Sequence, residues 1–216
     1  MIARKDITQQ TAEWHEIKYG RIGGSTSKQL LIDSEALLDE LISARLEPFE
    51  LEDDGFESKD MARGNELEPL ARLELGKYLN LEFEEFGWLQ CEEWDIIGIS
   101  PDGLTSDRKA ACEIKCPARK KHTSNLRGGV IPSEYLPQCV HNFTVNPDLE
   151  ICYFASFRPE SKHPLFVRSI TLDSIVDLGT KSKPNARTVR EWVKIAKDKA
   201  MVITNKIESE IARLDF

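Results

Sequence analysis

G-I-S-P-D-G-L-T-S-D-R-K-A-A-C-E-I-K-C, residues Gly98 to Cys116, reads as two short strands joined by a polar turn. Ile96, Ile97 and Ile99 supply the first strand and Ala110 to Cys116 the second. Between them, Pro101-Asp102-Gly103 is a turn with a mechanism, because Pro presets φ and Gly accepts positive φ. Side chains alternate faces along a strand. Cys112, Ile114 and Cys116 therefore share an apolar face, and Glu113 and Lys115 share the opposite one. If the strands pair near the turn, Asp102 joins that second face. Two carboxylates and a lysine then converge on one spot.

That set suits metal-assisted phosphodiester hydrolysis. Mg²⁺ takes hard oxygen ligands, commonly one or two carboxylates completed by water and phosphate oxygens. A metal so held activates water and neutralises charge developing on phosphate, and an adjacent lysine can position or polarise the attacking water. The alternative from spacing alone is a hairpin with a solvated Glu/Lys pair.

The rest of the chain bounds this choice. Its 216 residues suit one domain, 1–216, and 40% hydrophobic content can fill a sizeable core. No apolar run reaches membrane-spanning length, and M-I-A-R-K-D-I-T-Q-Q lacks the apolar segment of a secretory signal. Cys91, Cys112, Cys116, Cys139 and Cys152 form an odd set without paired C-x-x-C spacing, which reads as reduced thiols in a cytoplasmic protein. The formal net charge of −8 argues superficially against nucleic acid, but distribution matters more than the sum. No Asp or Glu occurs from Ile114 through Ser133, where Lys115, Arg119, Lys120, Lys121 and Arg127 fall. Acids crowd instead into Glu47–Asp60 and Glu82–Glu93. The basic stretch reads either as a phosphate-attracting cleft or as an ordinary charged loop.

Helices are expected over Thr8–Tyr19, Ser34–Leu46, Met61–Leu79 and Arg187–Asp215 from apolar residues at helical spacing, and over Ser133–Val145, where Pro137 falls in a tolerated first-turn position. Pro48–Asp60 reads as an acidic surface loop. Strands are expected over Leu81–Gln90, Leu149–Phe157 and Leu165–Thr171, the last two as an antiparallel pair. Gly23-Gly24-Ser25 looks like a turn feeding a helix with Ser25 as N-cap. A free helix N-terminus attracts anions, and Lys18 and Arg21 flank it; a plain capped helix is the alternative. Tyr135, Gln138 and His141 lie at helical spacing. A sheet flanked by helices is the simplest architecture.

The ordered landmarks are W-x3-K-x-G-x-I-x-G-S from Trp14, R-G-x-x-x-E from Arg63, S-P-D-G from Ser100, E-I-K-C-P from Glu113 and Y-x-x-Q from Tyr135. Together they resemble the lambda exonuclease / YqaJ viral recombinase family of the PD-(D/E)xK nucleases. The resemblance implies an α/β (α+β) fold, a central mixed sheet flanked by helices as in restriction endonucleases. It implies a Mg²⁺-dependent exonuclease, Mn²⁺ being able to substitute, with two ions per site. Such an enzyme degrades one strand of duplex DNA 5′→3′ to mononucleotides and leaves a 3′ overhang. It implies Asp102, Glu113 and the Ile114 carbonyl as metal ligands, Glu68 in support, and Lys115 as the catalytic lysine. Ser25, Ser100 and Gln138 fall where the family holds a terminal 5′-phosphate, and Tyr135 matches an active-site tyrosine.

Three departures stand out. Lys18 occupies a position that is commonly arginine, so Arg21 is expected to share its task. Gly23-Gly24 replaces a threonine-alanine pair, and Val140 replaces a second glutamine. The family further implies a homotrimeric ring, duplex ends as substrate, a single-strand annealing protein as partner, and phage or prophage origin in a bacterial host. An endonuclease of restriction or junction-resolving type on the same fold is the closest rival. A DNA-binding module without catalysis is the rival from another class, and the intact Asp102, Glu113 and Lys115 set speaks against it.

Overall fold

A computed structural model describes residues 1–51, 59–180 and 182–214. In chain order its elements are β1 (Ile2–Arg4), α1 (Ala12–Lys18), α2 (Ser27–Leu31), α3 (Glu35–Leu46), α4 (Lys59–Leu79), β2 (Trp88–Gln90), β3 (Gly98–Ile99), β4 (Gly103–Leu104) and β5 (Ala110–Lys115). There follow α5 (Arg119–Gly128), α6 (Leu136–Val145), β6 (Ile151–Phe157), β7 (Leu165–Thr171), β8 (Ile175–Asp177), β9 (Ala186–Thr188) and α7 (Val189–Leu214).

The central sheet runs β4-β5-β6-β7. Strands β5 and β6 are parallel, with Lys115 beside Ser156, and the outer pairings are antiparallel. A parallel pair needs a crossover, and α5 and α6 carry it. Such a strand is covered on both faces and reads as an apolar run, as A-A-C-E-I-K nearly does. On one face Ala71 and Leu75 of α4 meet Cys112, Ile114, Ala155 and Phe157. On the other, Cys139, Val140 and Phe143 of α6 belong to the larger core with Ala111, Cys152 and Phe154. Helix α7 closes over α6 with a buried stripe of Val189, Trp192, Ala196, Ala200, Ile203 and Ile207, the spacing expected of one helical face. Fully burying a side chain such as Phe154 contributes about 2 kcal/mol.

A second antiparallel sheet, β1-β2-β3, abuts the first where residues 100–102 pass from β3 to β4. Gly98 is required there: a Cβ would lie 2.1 Å from the Trp88 ring. At Gly103 a Cβ would lie 2.7 Å from Cys112 Sγ.

Several expectations are corrected. Pro101-Asp102-Gly103 does not turn the hairpin. The chain reverses at 105–109, where Thr105 Oγ1 donates to Asp107 Oδ1 at 2.6 Å and accepts from Ala110 N. Pro101-Asp102 instead marks the passage between sheets. Of the strand expected over Leu81–Gln90, only Trp88–Gln90 and a bridge at Glu84 form; the neighbouring acids Glu82 and Glu85 are exposed to solvent. Helix α1 begins at Ala12, because Thr11 accepts from Trp14 N as its cap. The basic stretch forms helix α5 rather than a loop, since His122 and Asn125 bury its inner face. Helices α3, α4, α6 and α7 and the β6–β7 pair lie close to expectation. The expected acidic loop falls mostly outside the described residues, as does Asp215. No described helix is long and apolar enough to cross a membrane.

Candidate active site

The β4–β5 register pairs Gly103 with Cys112. Continued by one residue, it sets Asp102 opposite Glu113. Asp102 ends β4 with its side chain, accepting from Ile114 N through Oδ2 at 2.6 Å. Within a strand the N–H and C=O of one residue point to the same side. The Ile114 carbonyl therefore faces the gap that Asp102 borders.

Glu113 and Lys115 share a face, as alternation requires, but that face is not open. Helix α6 lies beneath it, and Glu113 is only 4% exposed. Lys115 Nζ lies 2.5 Å from Glu113 Oε1 and 4.0 Å from Asp102 Oδ2. Burial raises the Glu113 carboxyl above the ordinary carboxylate range; Lys115 pulls it back and Asp102 pushes it further up. Burial alone would lower the Lys115 ammonium, but Glu113 and Asp102 outweigh it and hold it above its ordinary value.

Helix α4 brings the third carboxylate. Burial, then Asp102, pushes Glu68 up to about 7, against the pull of Arg72. Arg72 organises this corner. It reaches Glu68 Oε1 at 2.8 Å and Glu85 Oε2 at 3.0 Å, and its Nε donates to the Asp102 carbonyl. The sequence carried a signal for Arg72, which sits four residues after Glu68 on one helix face, but none that it would meet Asp102. Burial raises the neighbouring Cys116 thiol to about 11; Glu68 and Asp102 push the same way, Arg63 and Lys115 the other.

Among the described residues no three His, Cys, Asp or Glu groups form a ready-made metal cage. The chemistry of the donor set still fits a hard divalent cation. It offers oxygen only, from Asp102, Glu113, Glu68 and the Ile114 carbonyl, and Glu68 and Glu113 are both driven toward protonation by burial and by the nearby Asp102. An open set completed by water and phosphate is the usual arrangement for Mg²⁺. Lys115 supplies the positive charge in this structure.

Beside the carboxylates stands a second group. Ser100 Oγ accepts from Trp14 Nε1 at 2.7 Å and donates to the Gly87 carbonyl at 2.6 Å. Lys18 Nζ sits 3.5 Å from the centre of the Trp14 ring. Burial draws the Lys18 ammonium down to about 8. Gln138 packs its Cγ against Gly24, beside Ser25.

Arg21 is not brought to this group. Its guanidinium donates to the carbonyls of Ile17 at 2.6 Å and Asp95 at 3.1 Å, so the expected sharing with Lys18 is not seen. Ser25 is not the cap of α2 either. Thr26 holds that position, and α2 has only 5 residues, too few for a strong dipole end. Ser25 is exposed in the preceding turn.

Tyr135 stacks on Phe154, with Lys115 and Lys121 each 5.7 Å from its ring centre. It stands at the N-cap position of α6 rather than within the helix. His141 turns into the core, donating from Nε2 to the Gly98 carbonyl at 3.0 Å. On α5, Arg119 and Lys120 are exposed, and they line an open groove with Thr123, Ser124 and Arg127. Lys121 is engaged by Glu134.

The mixed sheet flanked by helices is a fold already known from solved structures. Two crystal structures of LHK-Exo, an alkaline exonuclease from Laribacter hongkongensis, one of them in complex with dAMP, share this fold. Each is 24% identical, with a TM-score of 0.73 over 94% of this chain and 96% of the other. The YqaJ-like viral recombinase domain matches residues 13–147. The chain belongs to that family. No curated protein matches the sequence.

Proposed function

We propose that this protein is a Mg²⁺-dependent exonuclease that removes mononucleotides from the 5′ strand of duplex DNA ends and leaves a 3′ overhang. The observation that carries the reading is the convergence of Asp102, Glu113 and Lys115, two carboxylates and an ammonium, where β4 gives way beside β5. Asp102, Glu113 and the Ile114 carbonyl would hold the metal, with Glu68 in support. A bound Mg²⁺ would supply Lewis acidity toward phosphate and water; Mn²⁺ offers the same chemistry, and the family pattern is two ions.

The chain's own residues do the rest. Lys115, already aimed at Glu113, is positioned to hold the attacking water. Tyr135 walls the site beside it. Lys18 supports recognition of a terminal 5′-phosphate: it is a largely desolvated ammonium that leans on the Trp14 ring, and Trp14 in turn holds Ser100. Ser25 and Gln138, which lie near one another at Gly24, would complete that pocket. A terminal phosphate carries more charge than an internal diester, and charge-assisted hydrogen bonds are the strong kind. The pocket would therefore prefer an end and set the direction. Arg119, Lys120 and Lys121 on α5 would follow the backbone.

Digestion of linear duplexes labelled at either end, with and without Mg²⁺, tests this reading. Label released first from 5′ ends, only with metal and not from closed circles, is expected. Cutting of circular duplex would turn the reading toward an endonuclease on the same fold.

A further inference from the structure

Two guanidiniums on the rim of the site have no role in the scheme above. Arg63 comes from α4, the helix that also delivers Glu68. Arg158 follows directly on β6. The parallel β5–β6 register sets Lys115 beside Ser156, so Arg158 falls beside Pro117, and its Nη1 approaches the Pro117 carbonyl at 3.4 Å. Arg158 thus stands at the carboxyl end of β6, next to the end of β5 that carries Glu113 and Lys115. In sheets with parallel strands, ligands gather outside these ends.

Both guanidiniums converge on one acid. Arg63 Nη2 lies 3.0 Å and Arg158 Nε 3.7 Å from the same Oε2 of Glu160. Glu160 is half exposed in the β6–β7 connection, while the two arginine side chains are 28% and 20% exposed. Two cations share one carboxylate, so the cluster keeps net positive charge. Arg63 Nε is buried with no hydrogen-bond partner, which is unfavourable for a donor of this kind. Exposed ion pairs contribute little, so Glu160 is displaceable. A phosphodiester offers a guanidinium fork more oxygens in better geometry than a single shared carboxylate oxygen.

We propose that Arg63 and Arg158 form a phosphate clamp that holds the nucleic-acid backbone beside the catalytic carboxylates, with Glu160 as the internal anion that fills the clamp when no strand is bound. The proposal rests on the nuclease reading for its substrate class. Arg63 and Arg158 are positioning residues: they act on the strand next to the scissile bond.

The test is binding of a linear duplex by fluorescence anisotropy in chelator, across a salt series, with melting temperature as the control for folding. Arg63→Gln and Arg158→Gln should each weaken binding about tenfold and flatten the slope of log K against log salt by about one. Glu160→Gln should move the other way and tighten binding severalfold at low salt, which a merely structural ion pair would not do. Arg158→Lys keeps the charge, loses the fork and should fall between parent and Arg158→Gln.

Unchanged slopes in both arginine variants, or Glu160→Gln binding no tighter than the parent, would overturn the clamp, as would a parent that binds no duplex. Nucleotide release by the parent with Mg²⁺ is scored separately. A parent that binds through these residues but releases nothing keeps the clamp and defeats the nuclease reading.

Discussion

Lys115 carries the sharpest consequences at the scale of single residues. Removing it leaves the Glu113 carboxylate buried without its ammonium. Breaking a buried pair from one side costs about 3 kcal/mol. Lys115→Ala should therefore lose both nucleotide release and that order of stability. Glu113→Gln, which removes the buried charge and keeps the shape, should lose release with a smaller loss of stability. Denaturant midpoints of the two variants check the prediction, and a Lys115→Ala protein as stable as the parent would refute it.

His141 makes a second prediction, about acid. Burial draws its imidazole from 6.5 down to about 4, against the pull of the Gly98 and Ile22 carbonyls. The unfolded chain then binds more protons than the folded one between those values, so stability rises with pH there. The contribution is fully present above about 6.5 and is lost as pH falls toward 4. A shift of this size corresponds to about 3 kcal/mol. His141→Gln can still donate to Gly98 but does not titrate, so its denaturation midpoint should fall less steeply over that window. Parallel slopes for variant and parent would sink the account.

At the scale of elements, the proposed function would divide the work on phosphate between α5 and α1. On α5 the cations are not equal, because Lys121 already has Glu134. Replacing Arg119, Lys120 and Lys121 together by Ala should flatten the salt dependence of duplex binding by about 2 in log–log slope rather than 3. No change in slope would make α5 an ordinary solvated helix.

On α1, Lys18→Ala should reduce the preference for 5′-phosphate over 5′-hydroxyl ends by about tenfold, the worth of one charged hydrogen bond. Arg21→Ala should lower stability and leave that preference unchanged, since its guanidinium holds the Ile17 and Asp95 carbonyls. Relative rates on the two substrates decide between these residues.

For the whole molecule, the acidic body matters. A net charge of −8 repels DNA in general, so on the proposed function attraction would be confined to local clusters of cations such as Arg119, Lys120 and Lys121. That balance suits an enzyme that must find ends rather than coat duplex. We predict a closed homotrimer, in which a ring stays topologically linked to the remaining strand, while a single cleft would release it often. The exposed strand is then free for a single-strand annealing partner. Light scattering should give the trimer mass at micromolar concentration; a monomer that nonetheless digests long duplex without dissociating would defeat the ring.

Much of this was legible in the residues. Periodicity placed α3, α4 and α7, whose buried stripes survive in the sequence, while β-rich composition marked the β6–β7 pair. Alternation along A-A-C-E-I-K put Glu113 and Lys115 on one face, a purely local consequence of strand geometry. Ordered landmarks led to the family. What local pattern does not encode was decided by the fold. Nothing in P-D-G says that the chain changes sheets there, because strand pairing depends on partners distant in sequence. The burial of Glu113 beneath α6 and the meeting of Arg72 with the Asp102 carbonyl arise the same way. So do the capture of Arg21 by two carbonyls and the shared hold of Arg63 and Arg158 on Glu160. Which acids and cations the chain contains is a property of its sequence; which of them lose water and face one another is set by long-range packing, and that determines their charge.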